Sequence, residues 1–125
     1  MEWTITQPVK VTEHNVEDIV VTAIEGGINY WCEGIQFAET RPAEESASTW
    51  AAMQLIKENA VKIRDEDGEH DLTITKLIDG LLKFSQKVRC FDVYEGEIDP
   101  SNFDAADADA VIQYALFCEL KYSRH

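Results

Sequence analysis

Val61-Lys62-Ile63-Arg64-Asp65-Glu66-Asp67-Gly68-Glu69-His70-Asp71-Leu72-Thr73-Ile74 is the stretch on which the fold turns. The runs Val61-Lys62-Ile63-Arg64 and Asp71-Leu72-Thr73-Ile74 flank Asp65 to His70, and each alternates apolar and polar residues. Alternation of period two puts apolar side chains on one face of a strand. The Asp67-Gly68 pair between the runs supplies residues that tolerate the positive φ of a tight hairpin turn. An antiparallel hairpin is therefore expected here, in the middle of a chain whose other strong signals are helical.

Outward from the hairpin, apolar residues fall at helical spacing. On the C-terminal side a helix is predicted from about Thr75 to Lys87, with Leu77, Ile78, Leu81, Leu82 and Phe84 inward. Gly80 inside it costs roughly 1 kcal/mol against alanine, which a close helix contact would explain. A last helix is predicted from about Ala105 to Phe117. Asp104 is its cap, Asp107 completes a capping box, and Ala108, Val111, Ile112, Ala115 and Leu116 form the inner stripe. On the N-terminal side, Asn15 is expected to cap a helix through Val16, Ile19, Val20, Ala23 and Ile24 that Gly26-Gly27 stops. A weaker helix is expected from about Ser48 to Glu58. Trp3 to Val11 reads as an edge strand with Pro8, Ile28 to Glu39 as a strand, and Arg89 to Tyr94 as a candidate strand. The tail Cys118 to Tyr122 reads as a returning edge strand. This order predicts an α+β fold: a small antiparallel or mixed sheet with about four helices packed mainly on one face, forming one domain over residues 1–125.

Composition narrows the function. The chain has 125 residues, 24 acids against 11 bases and a net charge of −13. That balance argues against direct contact with nucleic acid or an anionic membrane, both of which require a positive surface. It suits a basic protein partner instead. Three widely spaced cysteines, Cys32, Cys90 and Cys118, do not form a disulfide framework and read as reduced thiols. Met1-Glu2-Trp3-Thr4 carries no signal-peptide pattern, and no apolar run approaches the roughly 18 residues of a membrane span. A cytoplasmic protein is the expectation.

Motifs for chemistry are absent from this reading. Counting back from Gly68 as position 6 of a calcium loop places Ile63 at position 1, where an acid is needed, with Asp65 and Asp67 at 3 and 5. An acidic hairpin turn accounts for the segment. The three cysteines with His14, His70 and His125 make no close pair of the zinc-binding kind. Gly26-Gly27 follow a helix, whereas phosphate-cradling glycines precede one. A nucleophilic Cys32 has no motif behind it and reads as a small hydrophobe. Neither an enzyme nor a metal or cofactor site is expected.

The acids crowd two places. Asp65, Glu66, Asp67, Glu69 and Asp71 gather on the hairpin. From Cys90 to Leu120 the chain carries eight acids and no lysine or arginine. Glu95, Glu97 and Asp99, two apart, would present carboxylates about 6–7 Å apart along an extended segment, a phosphate-like track for a basic surface. Asp104, Asp107 and Asp109 also lie where a helix start favours acids by about 0.3–1 kcal/mol each. The candidate partner-binding residues are thus Asp65, Glu66, Asp67, Glu69, Glu95, Glu97, Asp99, Asp107 and Asp109. Trp31 joins them as one of two rings, Tyr30 and Trp31, that a strand would point to opposite faces, leaving one exposed beside Glu33.

The blocks Ile24-Glu25-Gly26-Gly27-Ile28-Asn29-Tyr30-Trp31-Cys32 and Asp107-Ala108-Asp109-Ala110-Val111-Ile112-Gln113-Tyr114-Ala115-Leu116-Phe117 resemble those of small uncharacterised proteins of phages and prophages. Those proteins carry glycine where this chain has Cys118. The resemblance implies a mobile-element setting in a host cytoplasm. It also implies a role among small acidic inhibitors of host defence, such as anti-CRISPR proteins, some of which mimic nucleic acid. The alternative reading is an oligomeric protein that sequesters a small molecule or nucleotide signal in pockets between subunits. Its mark would be an aromatic cage with Arg41, Arg64 or Arg89 nearby.

Overall fold

The computed structural model describes residues 2–6, 9–87, 92–94, 97–99 and 104–123. The α+β class holds, with strands in two sheets. Strands β1 (Glu2–Thr6), β2 (Val9–Thr12), β6 (Asp92–Tyr94) and β7 (Glu97–Asp99) form a mixed sheet in the order β1-β2-β7-β6. Strands β3 (Gly34–Phe37), β4 (Val61–Asp65) and β5 (Gly68–Leu72) form an antiparallel sheet in chain order. Helices α1 (Glu13–Thr22), α2 (Ala47–Ile56), α3 (Ile74–Lys87) and α4 (Ala105–Phe117) complete the fold. They pack against the sheets, α2 on β4, α3 on β1 and α4 on β5.

The hairpin forms with Val61 opposite Leu72 and Asp65 opposite Gly68. The two turn residues are Glu66 and Asp67 rather than Asp67 and Gly68. Gly68 still carries the positive φ, 130°, as the first residue of β5. Asp67 N–H donates to Asp65 Oδ1 at 2.9 Å and closes the turn locally. Along β4 burial alternates: Val61, Ile63 and Asp65 are inward, Lys62 and Arg64 outward. The same period that buries two aliphatic residues therefore carries a carboxylate into the interior.

Local chemistry explains the helix ends. Thr12, not Asn15, caps α1: its hydroxyl accepts from Asn15 N, while the Asn15 side chain accepts from Thr12 N. Asn15 sits at the third helical position and is buried. Ser46 caps α2 through Thr49 N. Asp104 and Asp107 form the expected capping box of α4. Helix α4 ends on Cys118 at φ 62°, a left-handed conformation that favours glycine.

Three strand expectations change. Residues Trp3 to Val11 are not one strand: β1 and β2 are antiparallel arms, with Trp3 opposite Val11. The strand expected over Ile28 to Glu39 shortens to β3. Helix α1 runs into a π-helical turn over Ala23–Gly27, and Ile28 to Trp31 then form a further turn. The tail after Cys118 joins neither sheet. Of the candidate strand Arg89 to Tyr94, Asp92–Tyr94 form β6 and the earlier residues lie outside the described ones.

Helix α4 is the central element. Ala108, Asp109, Val111, Ile112, Gln113, Tyr114 and Ala115 are all buried, as expected of a helix enclosed on most sides. Two glycines let its neighbours approach. A Cβ on Gly27 would stand 2.8 Å from Ala105 O. A Cβ on Gly80 would stand 2.7 Å from Val111 O and 2.8 Å from Ala115 N. These are backbone atoms and cannot rotate away. The helix contact expected at Gly80 is thus present, between α3 and α4. Gly80→Ala should lower stability by about 2 kcal/mol although alanine is the better helix former, because overpacking outweighs propensity. Urea denaturation measures this, and a rise in stability would show that the helices separate without cost.

Candidate functional site

The site grows from the turn after α1. Trp31 N and Cys32 N both donate to Ile28 O, at 3.0 and 2.8 Å, so the chain coils where a strand was expected. In a strand, Tyr30 and Trp31 would point apart. In this turn both reach one carboxylate on α4. Tyr30 OH donates to Asp109 Oδ2 at 2.6 Å, and Trp31 Nε1–H donates to Asp109 Oδ1 at 2.7 Å. Gln113, one turn along α4, donates from Nε2 to Asp109 Oδ1 at 3.0 Å. Gln113 also holds the tail: its Oε1 accepts from Tyr122 N at 2.8 Å and its Nε2 donates to Tyr122 O at 3.1 Å. A glutamine side chain thus gives Tyr122 the two backbone bonds that a neighbouring strand would give.

The tail reaches a second buried carboxylate. Asp65 Oδ2 accepts from Tyr122 OH at 2.6 Å and from Lys121 Nζ at 2.8 Å. Asp65 Oδ1 stands 2.9 Å from His70 Nε2. Burial alone would raise the Asp65 carboxyl. The bonds from Lys121, Tyr122, His70 and Asp67 N–H outweigh it and hold the group well below the usual carboxylate range. Burial and the Asp65 hydrogen bond push the Tyr122 phenol up to about 12. Lys121 also bonds Asp67, and its ammonium lies 4.7 Å from the centre of the Phe117 ring and 5.2 Å from that of Tyr122. The Tyr122 ring stacks on Trp31 at 5.2 Å with the planes 4° apart. Tyr122 therefore joins the two carboxylates, by its hydroxyl to Asp65 and by its backbone to Gln113 and so to Asp109.

Over this framework lies a cleft of about 300 Å³ lined by Tyr30, Trp31, Cys32, Glu33, Glu66, Tyr122 and Ser123. Trp31 lies in its buried floor and Tyr30 is 40% exposed. Glu33 and Glu66 are exposed, and neither has an ion-pair partner among the described residues. Burial pushes the Cys32 thiol up, away from the thiolate, and its Sγ lies 3.5 Å from Gly34 O. Arg64 and Lys62 line a separate, smaller cleft with Glu69, beside β3. Among the described residues no group of three His, Cys, Asp or Glu is arranged to hold a metal ion.

The candidate acids divide by burial. Asp65 and Asp109 are buried and satisfied by donors, so they are not surface contacts. Trp31 is likewise buried, with its indole N–H committed to Asp109, and meets the surface only as the floor of the cleft. Asp67 is exposed but paired with Lys121. Asp107 is half-buried in its capping box, and burial together with neighbouring Asp104 raises its carboxyl. Glu66 and Glu69 remain open acids on the hairpin. Glu95 lies outside the described residues. Glu97 and Asp99 belong to β7, where Glu97 pairs with Tyr94 and Asp99 with Asp92. The residues that sequence reasoning passed over are Gln113, Lys121 and Tyr122, while Glu33 enters it only as the neighbour of an exposed ring. Lys121 carries a signal, since it is the first base after the base-free stretch from Cys90 to Leu120.

No protein-family model, curated protein or solved structure matches the chain.

Proposed function

We propose that the chain is a non-enzymatic binding protein that sets an acidic face against a basic protein surface, such as that of a nucleic-acid-binding host defence complex. One observation carries this reading: Glu33 and Glu66, two carboxylates with no ion-pair partner among the described residues, flank an aromatic cleft, with Glu69 two residues from the hairpin turn. Buried acids on the same framework are neutralised or hydrogen-bonded internally, so the unpaired ones stand out. The resemblance of two sequence blocks to phage and prophage proteins supports a setting in a host cytoplasm. The cleft also favours a basic partner over an anionic nucleotide, because no arginine or lysine among the described residues lines it.

Capture from a bacterial host lysate at low and high salt tests the proposal. A basic nucleic-acid-binding protein should be retained at low salt and released as salt screens the contact. The triple variant E33K/E66K/E69K, at exposed positions, should retain the fold by circular dichroism. Like-charge repulsion of several kcal/mol should lower its affinity for the captured partner by at least about a hundredfold. Unchanged affinity in that variant sinks the reading.

A further inference from the structure

We infer that the cleft beside Tyr30 and Tyr122 is the seat of one arginine side chain of the partner. This rests on the acidic-face reading above and specifies its anchor. Two independent features of the cleft select a cation. Its walls are aromatic, with Tyr30 partly exposed over the Trp31 floor and Tyr122 at the side, and ring faces attract cations. Its other wall elements include Glu33 and Glu66, which no base among the described residues pairs with. An anion would meet both carboxylates, while the nearby cations are engaged elsewhere, Lys121 with Asp65 and Asp67 and Arg64 with Glu33 O; a neutral apolar group would leave the carboxylates partly desolvated and unpaired.

The chain itself occupies a neighbouring seat of the same chemistry. Lys121 places its ammonium against Asp65 and Asp67 and over the rings of Phe117 and Tyr122. That internal cation shows what the combination of carboxylates and rings beside Tyr122 accommodates. The arginine seat lies next to it and shares Tyr122 as a wall. Size is consistent with a side chain: about 300 Å³ lies at the bottom of the roughly 300–1,000 Å³ range of small-molecule sites. Arginine fits better than lysine. Its guanidinium is flat, stacks on rings, is weakly hydrated and donates in a fork to carboxylates, whereas an ammonium is strongly hydrated and bonds as a point charge.

The test uses the full chain, with N-acetyl-arginine amide as probe and N-acetyl-lysine amide as comparison, followed by ¹H–¹⁵N NMR. Arginine amide should shift the Trp31 indole and the amides of Tyr30, Glu33 and Tyr122 saturably, and lysine amide should bind more weakly. The double variant E33Q/E66Q should weaken arginine amide binding by about tenfold, in line with loss of both carboxylate contacts. E17Q/E44Q, with the same change of net charge at exposed positions outside the cleft, should leave it unchanged. No saturable shift, an equal response to lysine amide, or an equal effect of the two double variants overturns the seat. If the seat fails while E33K/E66K/E69K still releases the captured partner, only the anchor is wrong. If the seat binds arginine amide but no salt-sensitive basic partner is captured, the acidic-face reading fails, and with it the assignment of the seat to a partner's arginine.

Discussion

Asp109→Ala should cost the fold about 3–5 kcal/mol, measured as a drop in stability by urea denaturation, because it leaves three donors without their acceptor. Trp31 Nε1–H and Gln113 Nε2 are buried, and of the two Gln113 keeps other acceptors in Tyr122 O and Tyr30 OH. Tyr30 OH is nearer the surface and can turn to solvent, so the main loss comes from the stranded indole N–H and the cavity left beside it. The damage should spread to the tail, since Gln113 positions Tyr122 through two bonds. Asp109→Asn tests the explanation. It retains one carbonyl acceptor and points an amide N–H at a tyrosine oxygen that can accept it, so its cost should be roughly 1–2 kcal/mol. If alanine and asparagine destabilise equally, the carboxylate is not acting as the common acceptor.

Asp65→Ala should be comparably severe, at about 3–5 kcal/mol, since it removes the buried member of a hydrogen-bonded ion pair and strands its partners. Lys121, Tyr122 and His70 all converge on this group. Its pH signature is specific. The folded-state carboxyl is held below its unfolded value of about 3.9. The stabilisation is therefore complete above that value and is lost as pH falls through the lowered folded one. The wild-type chain should lose stability steadily below about pH 5, and Asp65→Asn should flatten that acid limb. At the alkaline end Tyr122 acts in the opposite sense. Its phenol is raised from about 10 to about 12, so its contribution is complete below the lower value and is lost as pH rises through the higher. Denaturation midpoints from acid to alkaline pH measure both limbs. An Asp65→Asn chain with the wild-type acid limb would show that other carboxylates carry it.

These two aspartates also show where sequence reasoning stopped. Asp65 and Asp109 are indistinguishable by composition from the acids around them. Asp65 sits in a polar turn segment, Asp109 in the first turns of a helix where acids are ordinary. The alternation of β4 does hint at the burial of Asp65, since it shares the face of Val61 and Ile63. That hint is weak beside the cost of burying an acid, and it becomes credible only once Lys121 and Tyr122 are known to arrive. The error over Trp31 has a similar root. A strand assignment separates neighbouring side chains, and only the coil at Ile28 brings Tyr30 and Trp31 onto one carboxylate.

Features whose causes lie within a few residues were legible along the chain: the α+β class, the β4–β5 hairpin, the four α-helices, the capping box at Asp104 and Asp107, and the acidic surplus. Their physics is local, in alternation, capping and turn conformation. The tertiary structure alone decided which acids are buried, where the cleft lies and that the tail closes it. Tyr122 meets Asp65 across 57 residues of chain and Trp31 meets Asp109 across 78. A carboxylate's environment is set by whichever donors folding delivers to it, and no spacing along the chain encodes that delivery.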